Sequence, residues 1–364
     1  MSAQRITSPD DPALAELCVL LAERAVDMDR DGQWPAEQLR RCGEAGVFEW
    51  FLDQAWGGQG WSDEQTVRGY LALSAACLTT TFVLTQRTGA CRRIEGSQNE
   101  VLKQRLLPGL ASGELFATVG ISHLTTSRRH LGKPVLTAEA IDGGFRLDGM
   151  SPWVTGGAAS DVIVIAATLV ERGEPTDKQL LIAVPAGLAG MKVAESLPLI
   201  GVSASSTGAV HFAGAEVTSE WLVAGPAPNV MSSGIGGNAG GYETSTLAVG
   251  LARAAIDFLA AEAAKREDLK EPMLALREEH ARLSDDLLLV VRGDPACTKE
   301  SIRQRANSLV LRSTQAALSA AKGSGYVVGH PAGRWCREAL FFLVWSCPQP
   351  VAAANLCELA GIAF

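Results

Sequence analysis

The stretch GFRLDGMSPWVTGGAASDVIVIAA, residues 144–167, decides how the rest of the chain is read. GFRLDGMSPWVT has the composition and length of a strand, and Gly156-Gly157 after it is turn chemistry. DVIVIAATL (161–169) is apolar at odd and even positions alike, which predicts a strand covered on both faces. Trp153 and Thr155 stand two residues apart, so on a strand they share a side.

Moving outward, KPVLTAEAI, KQLLIAVPA, MKVAES and TGAVHFAGAEV are further strand-like runs. Asp142-Gly143-Gly144, Glu174-Pro175 and Ala189-Gly190 punctuate them as turns. Several strands of this length and spacing predict an antiparallel sandwich or barrel over 116–227. On both sides the period changes. In residues 1–115, Leu14, Leu17, Leu21 and Ala25 mark a helical face that Asp10 or Asp11 before Pro12 can cap. Residues 62–94 read as one long buried helix, although TTTFVL alone suits a strand. NEVLKQRLLPGLASGE is a helix with a Pro-Gly break. After a Gly-rich linker at 232–241, residues 228–364 carry further helices, with Leu247, Leu251, Ala255 and Phe258 on one face and Thr298 able to cap another. The fold class expected is therefore α+β: an N-terminal helical domain, a middle β domain and a C-terminal helical bundle.

Composition narrows the function. The chain has 364 residues, 47% apolar and 20% charged, with a net charge of −8 and no block of Lys or Arg. Nucleic acid and anionic membrane surfaces need a basic face, so neither is an expected partner. No uninterrupted apolar run reaches the roughly 18 residues of a membrane span, and the polar start MSAQRITSPDDP has no signal-peptide character; a cytoplasmic location is expected. The eight cysteines form no CxxC pair, and the five histidines do not flank them at ligand spacing, so no metal site is expected. Cys347, within the segment REALFFLVWSCPQP (337–350), is the one thiol worth following.

WPAEQLRRCGEAGV followed by WGGQGWS, LKQRLLPGLASGELFATVGIS, the 144–167 stretch and KGSGY (322–326) occur in an order and spacing that resembles the acyl-CoA dehydrogenase family over almost the whole chain. The resemblance implies a flavin, normally FAD, an acyl thioester substrate, and a homodimer or homotetramer. It implies flavin contact for Trp153, Thr155 and Ser122, with Ser127 and the cations Arg128, Arg129 and His130 near the pyrophosphate. Arg266 matches an Arg that reaches a neighbouring subunit's FAD, and Gly323 and Gly325 match a ligand-approaching turn. The bland alternatives are a core Trp and strand Thr, a solvated basic loop, a surface Arg and a helix-terminating turn.

The departures matter more for chemistry. The family's catalytic glutamate aligns with Ser346, and the alternative glutamate position with Gly240, followed by Gly241 where an Arg is usual. A serine cannot remove an α-proton without a base of its own. Glu243, about one helical turn beyond Gly240, is the remaining candidate base; its plain reading is a first-turn Glu favoured by the helix dipole. The stretch between Arg266 and KGSG is also shorter than the family norm. Three functions remain open: a thioester dehydrogenase of altered mechanism, a flavin monooxygenase or oxidase, and a non-catalytic binding protein.

Overall fold

A computed structural model describes residues 4–125, 133–232, 242–294 and 297–362. The N-terminal layer holds α1 (Pro12–Asp31), α2 (Ala36–Glu44), α3 (Asp63–Ala76), α4 (Leu78–Glu95) and α5 (Glu100–Ser112). Asp11 caps α1 by accepting from the Ala13 amide at 3.0 Å, and Leu14, Leu17, Leu21, Ala25 and Met28 are its buried stripe.

Two local expectations are corrected here. The predicted single helix over 62–94 is broken at Cys77, which is extended (φ −154°, ψ 102°) and whose Sγ accepts from the Thr80 amide, capping α4. The break lets α3 and α4 diverge, and the β-branched Thr79–Thr81 run stays helical because it is buried. The Pro-Gly break predicted in α5 is absent. Pro108 lies on the exposed side, and the buried Leu102, Leu106, Leu110 stripe carries the helix past it until Gly113 at φ 82°.

The middle layer is one sheet of eight strands: β1 (Ala117–Gly120), β2 (Leu136–Ile141), β3 (Gly144–Thr155), β4 (Val162–Glu171), β5 (Glu174–Pro185), β6 (Met191–Val193), β7 (Thr207–Thr218) and β8 (Leu222–Pro228). Neighbouring order is β6-β7-β3-β2-β4-β5-β8. These hairpin and crossover pairings are antiparallel except along β4, where β1 and β2 both run parallel. Hence the sheet is mixed. β4 is covered on both faces, as its composition requires. Val162, Val164 and Ala166 pack with Cys91, Ile94 and Leu106 of the helical layer. Ile163, Ile165 and Ala167 pack with Leu136, Leu147 and Val217, so the sheet curls over its own core.

A short helix, α6 (Ser122–Thr125), follows β1. The C-terminal layer comprises α7 (Glu243–Ala263), α8 (Lys270–Val291), α9 (Lys299–Ala321), α10 (Pro331–Leu340) and α11 (Gln349–Leu359). Thr298 caps α9, accepting from the Ser301 amide at 3.1 Å. α7 is apolar almost all round and 21 residues long, enough to cross a membrane by length and composition, but 67% of its most apolar window is buried inside the protein, as for a core helix. Leu247, Leu251, Ile256 and Leu259 join Leu283, Leu287, Leu309 and Phe342 in one core. The approach of α7 to α3 depends on Gly250, where an added Cβ would stand 2.7 Å from the Leu71 carbonyl oxygen.

Candidate functional site

The three layers meet around a cavity of about 760 Å³, within the size range of small-molecule and cofactor sites. The wall is drawn from α4, the ends of β1 and β3, the start of β7, the segment 199–202, the first turn of α7 and the segment 340–346.

From the sheet come Trp153 and Thr155, and from the start of α6, just past β1, comes Ser122; all three line the cavity. Trp153 is 45% exposed, an aromatic face open to the cavity rather than a core residue. A register shift in the β3·β7 ladder between Ser151 and Val154 re-aims this end of the strand. Thr155 is buried and tightly held. Its backbone carbonyl accepts from Thr118 Oγ1 at 2.8 Å, and its hydroxyl is 2.9 Å from Thr207 Oγ1, which is 2.8 Å from Ser205 Oγ. β1 fits against β3 here because residue 120 is glycine; a Cβ would meet Ser151 Oγ at 2.8 Å.

From the C-terminal side come Arg337, Leu340, Phe341, Leu343, Val344, Trp345 and Ser346. Phe341 and Trp345 stack at 4.9 Å between ring centroids, and Phe82 of α4 meets both edge-on at 4.8 Å. Arg303 and Asn307 of α9 pin this segment from behind. Arg303 Nη2 donates to the carbonyls of Trp345 (2.8 Å) and Phe342 (3.3 Å), and Asn307 Nδ2 donates to Phe342 O (3.1 Å). Ser346 follows in the left-handed region at φ 43° and is exposed at the cavity edge. Cys347 is half-buried; burial raises its thiol above the ordinary value, and the charge of Arg303, invisible in the local sequence, only partly offsets this. It is therefore held as a thiol rather than an activated thiolate.

Three charged side chains among the described residues line the cavity: Arg93, Arg337 and Glu243. Arg337 forks onto Asp29 of α1 at 2.6 and 3.1 Å and also donates to Ile200 O at 3.1 Å, tying α10 to α1 and to the 199–202 wall. Behind it, fully buried Glu338 accepts from Thr79 Oγ1 at 3.4 Å and lies 3.7 Å from Arg334 Nε. Burial pushes its carboxyl up to about 7, against the pull of Arg334. Glu243 stands in the first turn of α7 and reaches the cavity.

Arg266, Gly323 and Gly325 are not brought to this cavity. The Arg266 guanidinium donates to Ala320 O at 2.8 Å, at the end of α9, and pairs with Asp268 at 3.3 Å. Gly325 lies in the 322–326 turn, where a Cβ would stand 2.7 Å from that of Ala321; Gly323 faces open space. Ser127, Arg128, Arg129, His130, Gly240 and Gly241 lie outside the described residues. Among the described residues no group of His, Cys, Asp and Glu is arranged to hold a metal, and all eight cysteines are free.

Sequence reasoning missed Arg93, Arg337 and the Phe341–Trp345 stack as wall residues. One signal was available for Arg93. A helix as apolar and β-branched as α4 is buried nearly all round, so its late arginines cannot all reach water.

Residues 18–114 match the family described as acyl-CoA dehydrogenase, N-terminal domain. The probable acyl-CoA dehydrogenase YngJ of Bacillus subtilis (strain 168) is 22% identical over 338 residues, 88% of each chain. A glutaryl-coenzyme A dehydrogenase in complex with glutaryl-CoA superposes with a TM-score of 0.81 at 17% identity, covering 95% of this chain and 94% of that one. The prolyl acyl carrier protein oxidase AnaB superposes with a TM-score of 0.80 at 15% identity, covering 97% of this chain and 100% of that one. Residues 18–114 thus carry the N-terminal domain of the acyl-CoA dehydrogenase family, and the chain as a whole is similar to an acyl-CoA dehydrogenase along most of its length and shares the fold of such enzymes.

Proposed function

We propose that the protein is a flavin-dependent oxidoreductase acting on an acyl thioester or a closely related small molecule, with FAD as its flavin. The observation that carries the reading is a single cavity in which Trp153, Thr155 and Ser122 share a wall with Glu243 and the 340–346 segment. These residues suit a flat heterocycle. Trp153 offers an exposed apolar plane, and the Thr155 and Ser122 hydroxyls offer hydrogen bonds at the sheet edge. Ser122, Trp153 and Thr155 would hold the ring, and flavin when bound supplies a two-electron acceptor for hydride.

The chain's own residues then divide the remaining work. Phe341, Trp345, Leu343 and Val344 give the cavity an apolar, aromatic side that excludes water from a bound acyl group. Among the described residues Glu243 is the only carboxylate on the wall, and so the one described wall residue able to take a proton from substrate as a general base. Ser346 holds no such capacity. Its presence at the cavity edge supports a second reading, a flavin oxidase or monooxygenase that needs no base in the tip. Arg266, Gly323 and Gly325, away from the cavity, are available for a neighbouring subunit in a homodimer or homotetramer.

The visible spectrum of the purified protein tests the proposal, before and after heat release of any chromophore. About one equivalent of FAD, bleached anaerobically by a short acyl-CoA, is the expected result. Bleaching only by added reductant, with rapid reoxidation by oxygen, selects the oxidase reading. A protein that neither carries nor takes up flavin would make the fold a binding module.

A further inference from the structure

Of the two cations on the cavity wall among the described residues, Arg337 is fully engaged by Asp29 and Ile200 O, whereas Arg93 is not. Arg93 is 5% exposed, and its one hydrogen bond among the described residues runs from Nη1 to Gly89 O of its own helix, at 2.7 Å. Its Nε is buried with no partner among the described residues. Glu243 acts on Arg93 through space and is the sole acidic side chain on the wall among the described residues; burial lowers the guanidinium to about 10 in spite of it. A guanidinium has five donors, and leaving them unmatched in a buried site is costly. Nothing in a hydrocarbon chain would match them.

We propose that Arg93 is the cavity's receptor for an electron-rich oxygen of the bound ligand, a carbonyl or carboxylate oxygen rather than an alkyl tail. This rests on the flavin and thioester reading above. Two ligands carry such an oxygen: the pyrimidine edge of the flavin, and an acyl group that bears a second oxygen function beyond its thioester. Arg93 lines the same cavity as the polar side chains of Gln86, Ser122, Thr155 and Thr244, so the cavity offers polar surroundings to an oxygen from either source.

The test compares the full-length protein with Arg93→Met, which keeps length and removes charge, and with Arg93→Lys, which keeps charge. Three quantities are measured: affinity for FAD, midpoint potential of bound FAD in a dithionite titration, and relative affinity for succinyl-CoA and butyryl-CoA by calorimetry. A charge-assisted hydrogen bond to the oxygen predicts a loss of about tenfold to a hundredfold in R93M, partly restored in R93K. Loss of FAD affinity or a more negative potential assigns the oxygen to the flavin. Loss of succinyl-CoA binding with butyryl-CoA unchanged assigns it to the substrate. R93M that folds, binds and discriminates like wild type overturns the assignment alone. Wild type that binds neither FAD nor either thioester overturns it together with the functional reading. Should R93M not fold, Arg93→Gln, which is neutral but can still donate to Gly89 O, carries the same comparison: R93Q that binds and discriminates like wild type refutes a charge-based role, and a loss that R93K partly restores supports it.

Discussion

Replacing Glu338 by glutamine should change how stability depends on pH. Glu338 is fully buried where α10 meets α4 and α1, and burial lifts its carboxyl from the ordinary 4.5 to about 7. The groups facing it are Thr79 from α4, Arg334 and Arg337 from α10, and Asp29 from α1; the two arginines pull down and Asp29 pushes up. A folded-state value above the unfolded one means that the folded protein holds its proton more tightly. The resulting stabilisation is complete below 4.5 and is lost as pH rises through about 7. At about 1.36 kcal/mol per pH unit, that interval is worth about 3 kcal/mol. Glutamine is neutral throughout, so E338Q lacks this loss. Urea unfolding of both proteins from pH 5 to 8 isolates it, because the other carboxylates cancel in the difference. The stability of E338Q relative to wild type should rise with pH up to about 7.5 and then level off. The constant cost of leaving Arg334 without its partner shifts the curve but not its slope. A difference that is flat with pH, or that rises toward acid, would refute the reasoning.

Glu243→Gln, on any substrate shown to be turned over, should lower kcat by about a hundredfold or more if Glu243 takes the proton, while Ser346→Ala changes it little; equal rates in E243Q and wild type end that role. Trp153→Ala should reduce the flavin content of the purified protein with little change in melting temperature, since this ring is exposed to the cavity rather than packed in a core; full flavin occupancy in the variant contradicts the assigned plane. Gly250→Ala places a methyl 2.7 Å from Leu71 O and Ser74 Cβ, and should cost about 1–3 kcal/mol by forcing α3 and α7 apart, read as a lower urea midpoint. Arg303→Met removes the donors to Phe342 and Trp345 carbonyls and should loosen the Phe341–Trp345 stack, visible as a change in near-ultraviolet circular dichroism with the far-ultraviolet spectrum retained.

Much of the architecture is local in origin and was therefore legible. Strand-like and helical runs differ in period, and caps such as Asp11 and Thr298 act within one turn, so a window of a dozen residues contains the information. Trp153 and Thr155 were also legible, because their shared side follows from two-residue spacing on a strand next to a Gly-Gly turn. The parallel pairing of β1 and β2 with β4 was not: antiparallel neighbours are the default for short strands, and only the assembled sheet shows which partner a strand finds. The break at Cys77 and the uninterrupted passage through Pro108 went the other way from local propensity, because burial of one segment and exposure of a proline ring outweighed it.

What the amino-acid order settled alone is the succession of helical, strand and helical zones, the acidic balance, and the absence of a carboxylate at position 346. What the tertiary structure decided is which side chains share a wall. Arg93, Glu243, Arg337 and Trp345 come from α4, α7, α10 and the segment beyond it, up to about 250 residues apart, and no periodicity links them. A cavity is a meeting of surfaces that are each apolar for packing reasons. The charge on Arg93 that the described residues leave unmatched is visible only once those neighbours are in place.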